Sequence, residues 1–97
     1  HLEYLPGMAI RVLLVDDDAR LHELLASYLE QNGFAVTGVT DGPTALATLD
    51  AGVFDVVLLD VMMPGMDGLE VCRRMRLKSR IPILMLTARD TVDDKLS

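Results

Sequence analysis

Ile10-Arg-Val-Leu-Leu-Val-Asp-Asp-Asp18 is the stretch whose reading decides the fold. A nearly continuous apolar run, rich in branched side chains, stops in three consecutive carboxylates. A short apolar run of this kind is the pattern of a strand buried on both faces, as in a parallel sheet. Leu21, Leu24, Leu25, Tyr28 and Leu29 follow at i, i+3, i+4, i+7 and i+8, the spacing of an amphipathic helix. Asp18 can cap its first turn and Gly33 can end it. Strand and helix then repeat down the chain. Phe34 to Val39 reads as a second strand, and Asp41-Gly42-Pro43 opens a second helix with Pro at its permitted first position. Ala45, Leu46 and Leu49 form that helix's inner stripe, and Gly52 ends it. Val53 to Leu59 is a third strand running into Asp60. Met62 to Gly68 is a loop by its Pro and Gly content.

Leu69, Cys72 and Met75 are expected on the inner face of a third helix, with Glu70, Arg73, Arg74 and Arg76 outside. Ile81 to Leu86 is a fourth strand stopping at Thr87-Ala88, and Asp90 can cap a fourth helix. The alternation predicts an α/β doubly wound parallel sheet covered on both faces. In such sheets ligands bind beyond the carboxyl ends of the strands, near the point where strand order reverses. Asp16-Asp17, Asp60 and Thr87 all stand at strand ends and so should meet on one rim. Clustered carboxylates raise one another's pKa. A divalent cation relieves that repulsion, and magnesium suits hard oxygen ligands that leave positions for water and phosphate.

Composition narrows the function. The 97 residues suffice for one domain, and 51% of them are hydrophobic with only 4% aromatic. The core must therefore be aliphatic. A formal charge of −6 argues against nucleic-acid binding by this segment, which would need clustered cations. The single cysteine, Cys72, excludes an internal disulfide and fits a small buried hydrophobe. No apolar run is long enough to span a membrane as a helix, and no signal peptide stands at the start. A cytoplasmic location is the expectation. His1 to Gly7 reads as a tag or vector remnant, with residues 8–97 as the domain. His22 is expected to be solvated, and Met62 and Met63 to be adaptable packing or exposed loop side chains.

Val12 to Asp18, Leu58-Leu-Asp-Val-Met-Met-Pro-Gly-Met-Asp-Gly68 and Pro82-Ile-Leu-Met-Leu-Thr-Ala88 together resemble the receiver domains of two-component response regulators. The resemblance covers Met8 to Ser97, and its final motif is most similar to receivers attached to winged-helix DNA-binding domains. It implies a flavodoxin-like sheet of order 2-1-3-4, with the family's fifth strand and last helix missing from this chain. It also implies roles. Asp60 would be the phosphoacceptor. Asp17, Asp60 and the Met62 carbonyl would bind Mg2+, with Asp16 reaching the metal mainly through water. Thr87 and the backbone N–H groups of Met62 and Ala88 would contact the phosphoryl group, and Pro64, Gly65 and Gly68 would shape the loop. The implied partner is a histidine kinase. The domain would catalyse its own phosphorylation and dephosphorylation without being a conventional turnover enzyme. In the parent protein it would control a transcriptional output domain.

Receivers have five βα units, and the repeat here of roughly 25 residues implies a complete domain of about 120. The family's lysine and switch aromatic on strand five have no match: neither Lys78 nor Lys95 follows an apolar strand or precedes a proline. Either residues follow Ser97, or the exposed edge of strand four drives self-association or a homodimer. Two other classes stay open. One is a haloacid-dehalogenase-like phosphatase, suggested by Asp16-x-Asp18, although Arg20 stands where that family has Thr or Val. The other is a non-enzymatic module, flavodoxin-like or a degenerate receiver.

Overall fold

The structure, a computed structural model, describes residues 9–63, 65 and 67–86. The elements run β1 (Arg11–Val15), α1 (Ala19–Gln31), β2 (Ala35–Val39), α2 (Gly42–Ala51), β3 (Val56–Asp60), α3 (Gly68–Arg76) and β4 (Ile83–Leu86). The strands form one sheet of order β2-β1-β3-β4, and every pairing is parallel. This is the expected doubly wound order. The chain moves outward from β1 to β2, then crosses back to β3 and on to β4. Right-handed crossovers therefore place α1 on one face and α2 with α3 on the other. The reversal lies between β1 and β3, whose carboxyl ends carry Asp16 and Asp60.

β1 is the buried centre. Val12, Leu13, Leu14 and Val15 are 0–1% exposed, as a strand with neighbours on both edges and helices on both faces should be. The main apolar cluster joins Leu13, Val15, Val57 and Leu59 of the sheet to Ala45 of α2 and Val71 and Met75 of α3. The other face of β3 is only partly covered: Val56 and Leu58 are half-buried, alternating with buried Val57 and Leu59. Among the described residues α1 alone lies over that face.

Local chemistry sets the helix ends. Asp18 accepts from the N–H groups of Arg20 and Leu21, and Asp41 from that of Thr44. Asp67, which the sequence reading passed over, accepts from the N–H of Glu70 at 2.9 Å and caps α3. Gly33, with φ +91°, closes α1 in a conformation costly to other residues.

Four expectations are corrected. Leu69 is exposed, and Val71 takes the inner position with Met75 because α3 starts at Gly68 and its inward stripe lies two residues later. Val53 is exposed and precedes β3, which pairs only from Val56 onward. His22 is half-buried rather than solvated. Its ring lies so close to Gly38 that a Cβ there would collide with it, and its Nε2 is buried with no polar partner. α1 does not bury its stripe fully: Leu21, Leu24 and Tyr28 stay exposed. The expected fourth helix and the stretch read as a tag, residues 1–7, fall outside the described residues.

Candidate functional site: an acidic rim at the sheet's switch point

β1 and β3 are neighbours in register, Val15 opposite Leu59. The residues that follow, Asp16 and Asp60, therefore emerge side by side, and Asp17 lies next to them. Oxygen atoms of Asp16, Asp17 and Asp60 all lie within 4.8 Å of one another. Their burial is graded: Asp16 is buried, Asp60 half-buried and Asp17 exposed. Among the described residues no Lys or Arg forms an ion pair with any of the three.

Two of the carboxylates, Asp16 and Asp60, are tied to the local backbone. Asp16 Oδ1 accepts from the Asp18 N–H at 2.9 Å, while the Asp16 N–H donates to the Val39 carbonyl at 3.1 Å. Asp16 Oδ2 is buried and receives no donor. Burial, with the nearby charge of Asp60 and of Asp18, raises the Asp16 pKa against the lowering effect of the Asp18 N–H. Asp60 Oδ1 accepts from the Met62 N–H at 2.9 Å, which turns the chain sharply at the end of β3. A Cβ on Gly68 would strike the Asp60 carbonyl and Val61 Cα, so α3 can begin against this turn only with glycine there. Gly65, with φ +77°, supplies a second backbone reversal.

The rim opens into a cleft of about 650 Å³ lined by the three aspartates with Asp18, Leu21, Met62 and Leu86. Leu21 and Leu86 were not expected there; no sequence signal distinguishes them from other apolar residues. Met62 and Met63 divide. Met62 is exposed at the cleft, whereas Met63 is 6% exposed and belongs to the core. Thr87 and Ala88 lie outside the described residues, as does Pro64.

The donor set fits a hard divalent cation. Three carboxylates at this spacing, one with an orphaned buried oxygen, are electrostatically unsatisfied without a positive charge. Two chemistries can therefore be served here, separately or together: cation binding and nucleophilic attack by a carboxylate.

Comparison with known proteins places this arrangement. Residues 12–97 match the family model for the response regulator receiver domain. Sensory transduction protein RegX3 of Mycobacterium tuberculosis is 49% identical over 85 residues, covering 88% of this chain and 37% of RegX3. The DNA-binding response regulator MtrA of Mycolicibacterium paratuberculosis is 49% identical over 87 residues, covering 89% of this chain and 39% of MtrA. The chain thus spans well under half the length of these relatives. The Thermotoga maritima response regulator TrrA, solved in complex with Mg2+-BeF, superposes with a TM-score of 0.80 at 36% identity, covering 90% of this chain and 76% of TrrA. TrrA solved in complex with the histidine kinase ThkA gives a TM-score of 0.78 at 39% identity, covering 81% and 69%. With the sheet order, the acidic rim and the family match in agreement over nearly its whole length, this chain belongs to the response regulator receiver domains.

Proposed function

We propose that this domain accepts a phosphoryl group from a histidine kinase onto Asp60, with Mg2+ bound at the acidic rim, and so controls a transcriptional output domain in its parent protein. The observation that carries the proposal is the convergence of Asp16, Asp17 and Asp60 within 4.8 Å at the switch point. Relatives supply the partner classes: TrrA is solved with a histidine kinase, and MtrA is a DNA-binding response regulator. A cytoplasmic location belongs to the same proposal. Among the described residues no helix is long and apolar enough to cross a membrane.

Asp17, Asp60 and the Met62 carbonyl would hold the ion, with Asp16 reaching it mainly through water. When bound, Mg2+ neutralises oxygens of the acceptor and of the moving phosphoryl group. The chain's own residues do the rest. The Met62 N–H holds Asp60 Oδ1, leaving Oδ2 as the nucleophile. A carboxylate is already nucleophilic at neutral pH, so no general base is needed. Asp60 Oδ2 bonds to phosphorus as the bond from phosphorus to the donor imidazole nitrogen breaks, and that nitrogen keeps the electron pair. The product is an acyl phosphate, which water later hydrolyses at phosphorus. Positioned charge supplies most of the stabilisation in such transfers. Thr87 and the Ala88 N–H complete the proposal as phosphoryl contacts.

The test is incubation with acetyl phosphate and MgCl2, followed by intact-mass measurement and borohydride trapping of the acyl phosphate. One phosphoryl group on Asp60, absent in Asp60→Asn and in EDTA, is the expected result. A label on Asp16 would instead support dehalogenase-like chemistry.

A further inference from the structure

Five of the nine Lys and Arg residues of this acidic chain lie between Arg73 and Arg80. They surround a feature unrelated to the acidic rim. At the amino ends of β3 and β4, between the ends of α2 and α3, a cavity of about 950 Å³ opens to solvent. β3 has five residues, so the cavity lies roughly 16 Å from the carboxylates at about 3.3 Å per residue.

The cavity has an apolar floor and a cationic rim. Leu46, Leu49, Phe54 and Ile81 supply the floor, all packed against the core cluster. Arg73, Arg74, Lys78 and Arg80 stand on the rim against Asp50 and Asp55. Several of these charges are already engaged. Glu70 holds Arg73 and Arg74 at 2.7 Å, Asp50 takes Lys78 at 3.2 Å, and Asp55 takes Arg11 at 3.9 Å. Arg80 has no carboxylate partner among the described residues. Leu77 and Val53 also line the cavity and are 73% and 65% exposed, so its apolar surface continues from the floor out to the cationic rim.

We propose that this groove is a docking site for an acidic amphipathic segment of another protein. The segment's apolar side chains enter between α2 and α3 and cover Leu77. Its carboxylates meet Arg80 and compete for Arg73, Arg74 and Lys78. Helix-in-groove recognition needs this combination: an apolar slot for residues at i, i+3, i+4 and i+7 spacing, with charge that sets orientation. The surface is remote from Asp60, so the proposal stands apart from the phosphoacceptor reading.

The probe is a fluorescein-labelled helical peptide of twelve residues with Leu and Phe at i, i+3, i+4 and i+7 and Glu elsewhere. A matched peptide with Gln in place of Glu, and decanoate, serve as comparators. Binding to the whole chain is followed by anisotropy and by backbone amide NMR. The expected result is saturable binding below about 1 mM, the weak end of specific recognition. Amide shifts should centre on Leu49, Gly52, Phe54 and Leu77. Arg80→Glu and Leu77→Ser should each weaken binding by about fivefold, while Arg20→Glu, an equal charge change at the start of α1, should leave it within about twofold. The Gln peptide should bind more weakly, and rising salt should weaken the Glu peptide. Equal weakening by Arg20→Glu, shifts centred on α1, or no saturation by about 1 mM would overturn the proposal. So would decanoate shifting the floor residues while the peptide does not, which would identify a small-amphiphile site. A concentration-dependent dimer that Arg80→Glu dissolves would overturn it in favour of a second copy of this chain.

Discussion

Asp16→Asn should make the metal-free protein more stable and shrink the stabilisation that magnesium adds. Asn preserves the oxygen that accepts from the Asp18 N–H. It replaces the orphaned buried Oδ2 with an amide that can donate to Asp60. It also removes one of three charges lying within 4.8 Å of one another. Two unit charges about 4.8 Å apart repel by roughly 1 kcal/mol in water and about 3.5 kcal/mol at an effective dielectric of about 20. Asp17 is exposed and Asp60 half-buried, so relief of about 1–3 kcal/mol is the reasonable range. For a domain of this size, 1 kcal/mol moves Tm by about 4–8 °C. Thermal unfolding in EDTA should therefore show Asn higher by at least about 4 °C. Magnesium at tenfold excess over its dissociation constant should stabilise the parent sequence by about 1.4 kcal/mol. Most of that increment should vanish in the variant. The pH dependence follows from the raised Asp16 pKa. The folded state binds this proton more tightly than the unfolded chain, so ionised Asp16 is a penalty at neutral pH. In EDTA that penalty is released as pH falls through the raised value, and the release should be missing in Asn. An Asn variant no more stable than its parent in EDTA, and still fully stabilised by magnesium, would refute the argument.

Other outcomes follow from single contacts. Gly68→Ala places a methyl against the Asp60 carbonyl and Val61 Cα. It should cost about 1–3 kcal/mol in urea unfolding and slow labelling of Asp60 by acetyl phosphate. Gly38→Ala should be destabilising by a similar amount, about 1–3 kcal/mol, because it drives a methyl into the His22 ring. A His22→Ala background should remove most of that loss, as a double-mutant cycle would read. Glu70, held down to about 2 first by its hydrogen bonds to Arg73 and Arg74, should titrate by side-chain NMR far below an ordinary glutamate. Its pairing favours the folded state above the ordinary carboxylate value and is lost as pH falls through about 2. Glu70→Gln should abolish that low transition and leave Asp60 phosphorylation intact.

Much was readable from one chain because the signals were local. The apolar run of β1, the helical spacing of α1, and the Asp-Gly-Pro at the start of α2 each depend on neighbours a few residues away. Strand–helix alternation with right-handed crossovers leaves few topologies, and the resemblance to receiver domains singled out the order β2-β1-β3-β4 that the structure shows. Asp16, Asp17 and Asp60 were legible as a site because each ends a strand, and parallel strands share one carboxyl edge. The misreadings fell where local pattern is silent. Leu69 and Val71 are both apolar and two residues apart, and only the start of α3 at Gly68 decides which turns inward. His22 looked like any polar helix residue; the missing side chain of Gly38, sixteen positions away, makes room for its ring.

The sequence by itself determined the alternation, the caps, and which carboxylates could meet, since these depend on residue type and spacing along one chain. The tertiary structure alone decided the rest. It set how unequally those carboxylates are buried, so that Asp16 is shut away from solvent and carries a raised pKa. It separated buried Met63 from exposed Met62. It also gathered the cations of α3 and its following loop around an apolar cavity whose floor comes partly from α2. The physical reason is common to all three. Burial and proximity depend on what packs from other elements, and no stretch of sequence contains its own surroundings.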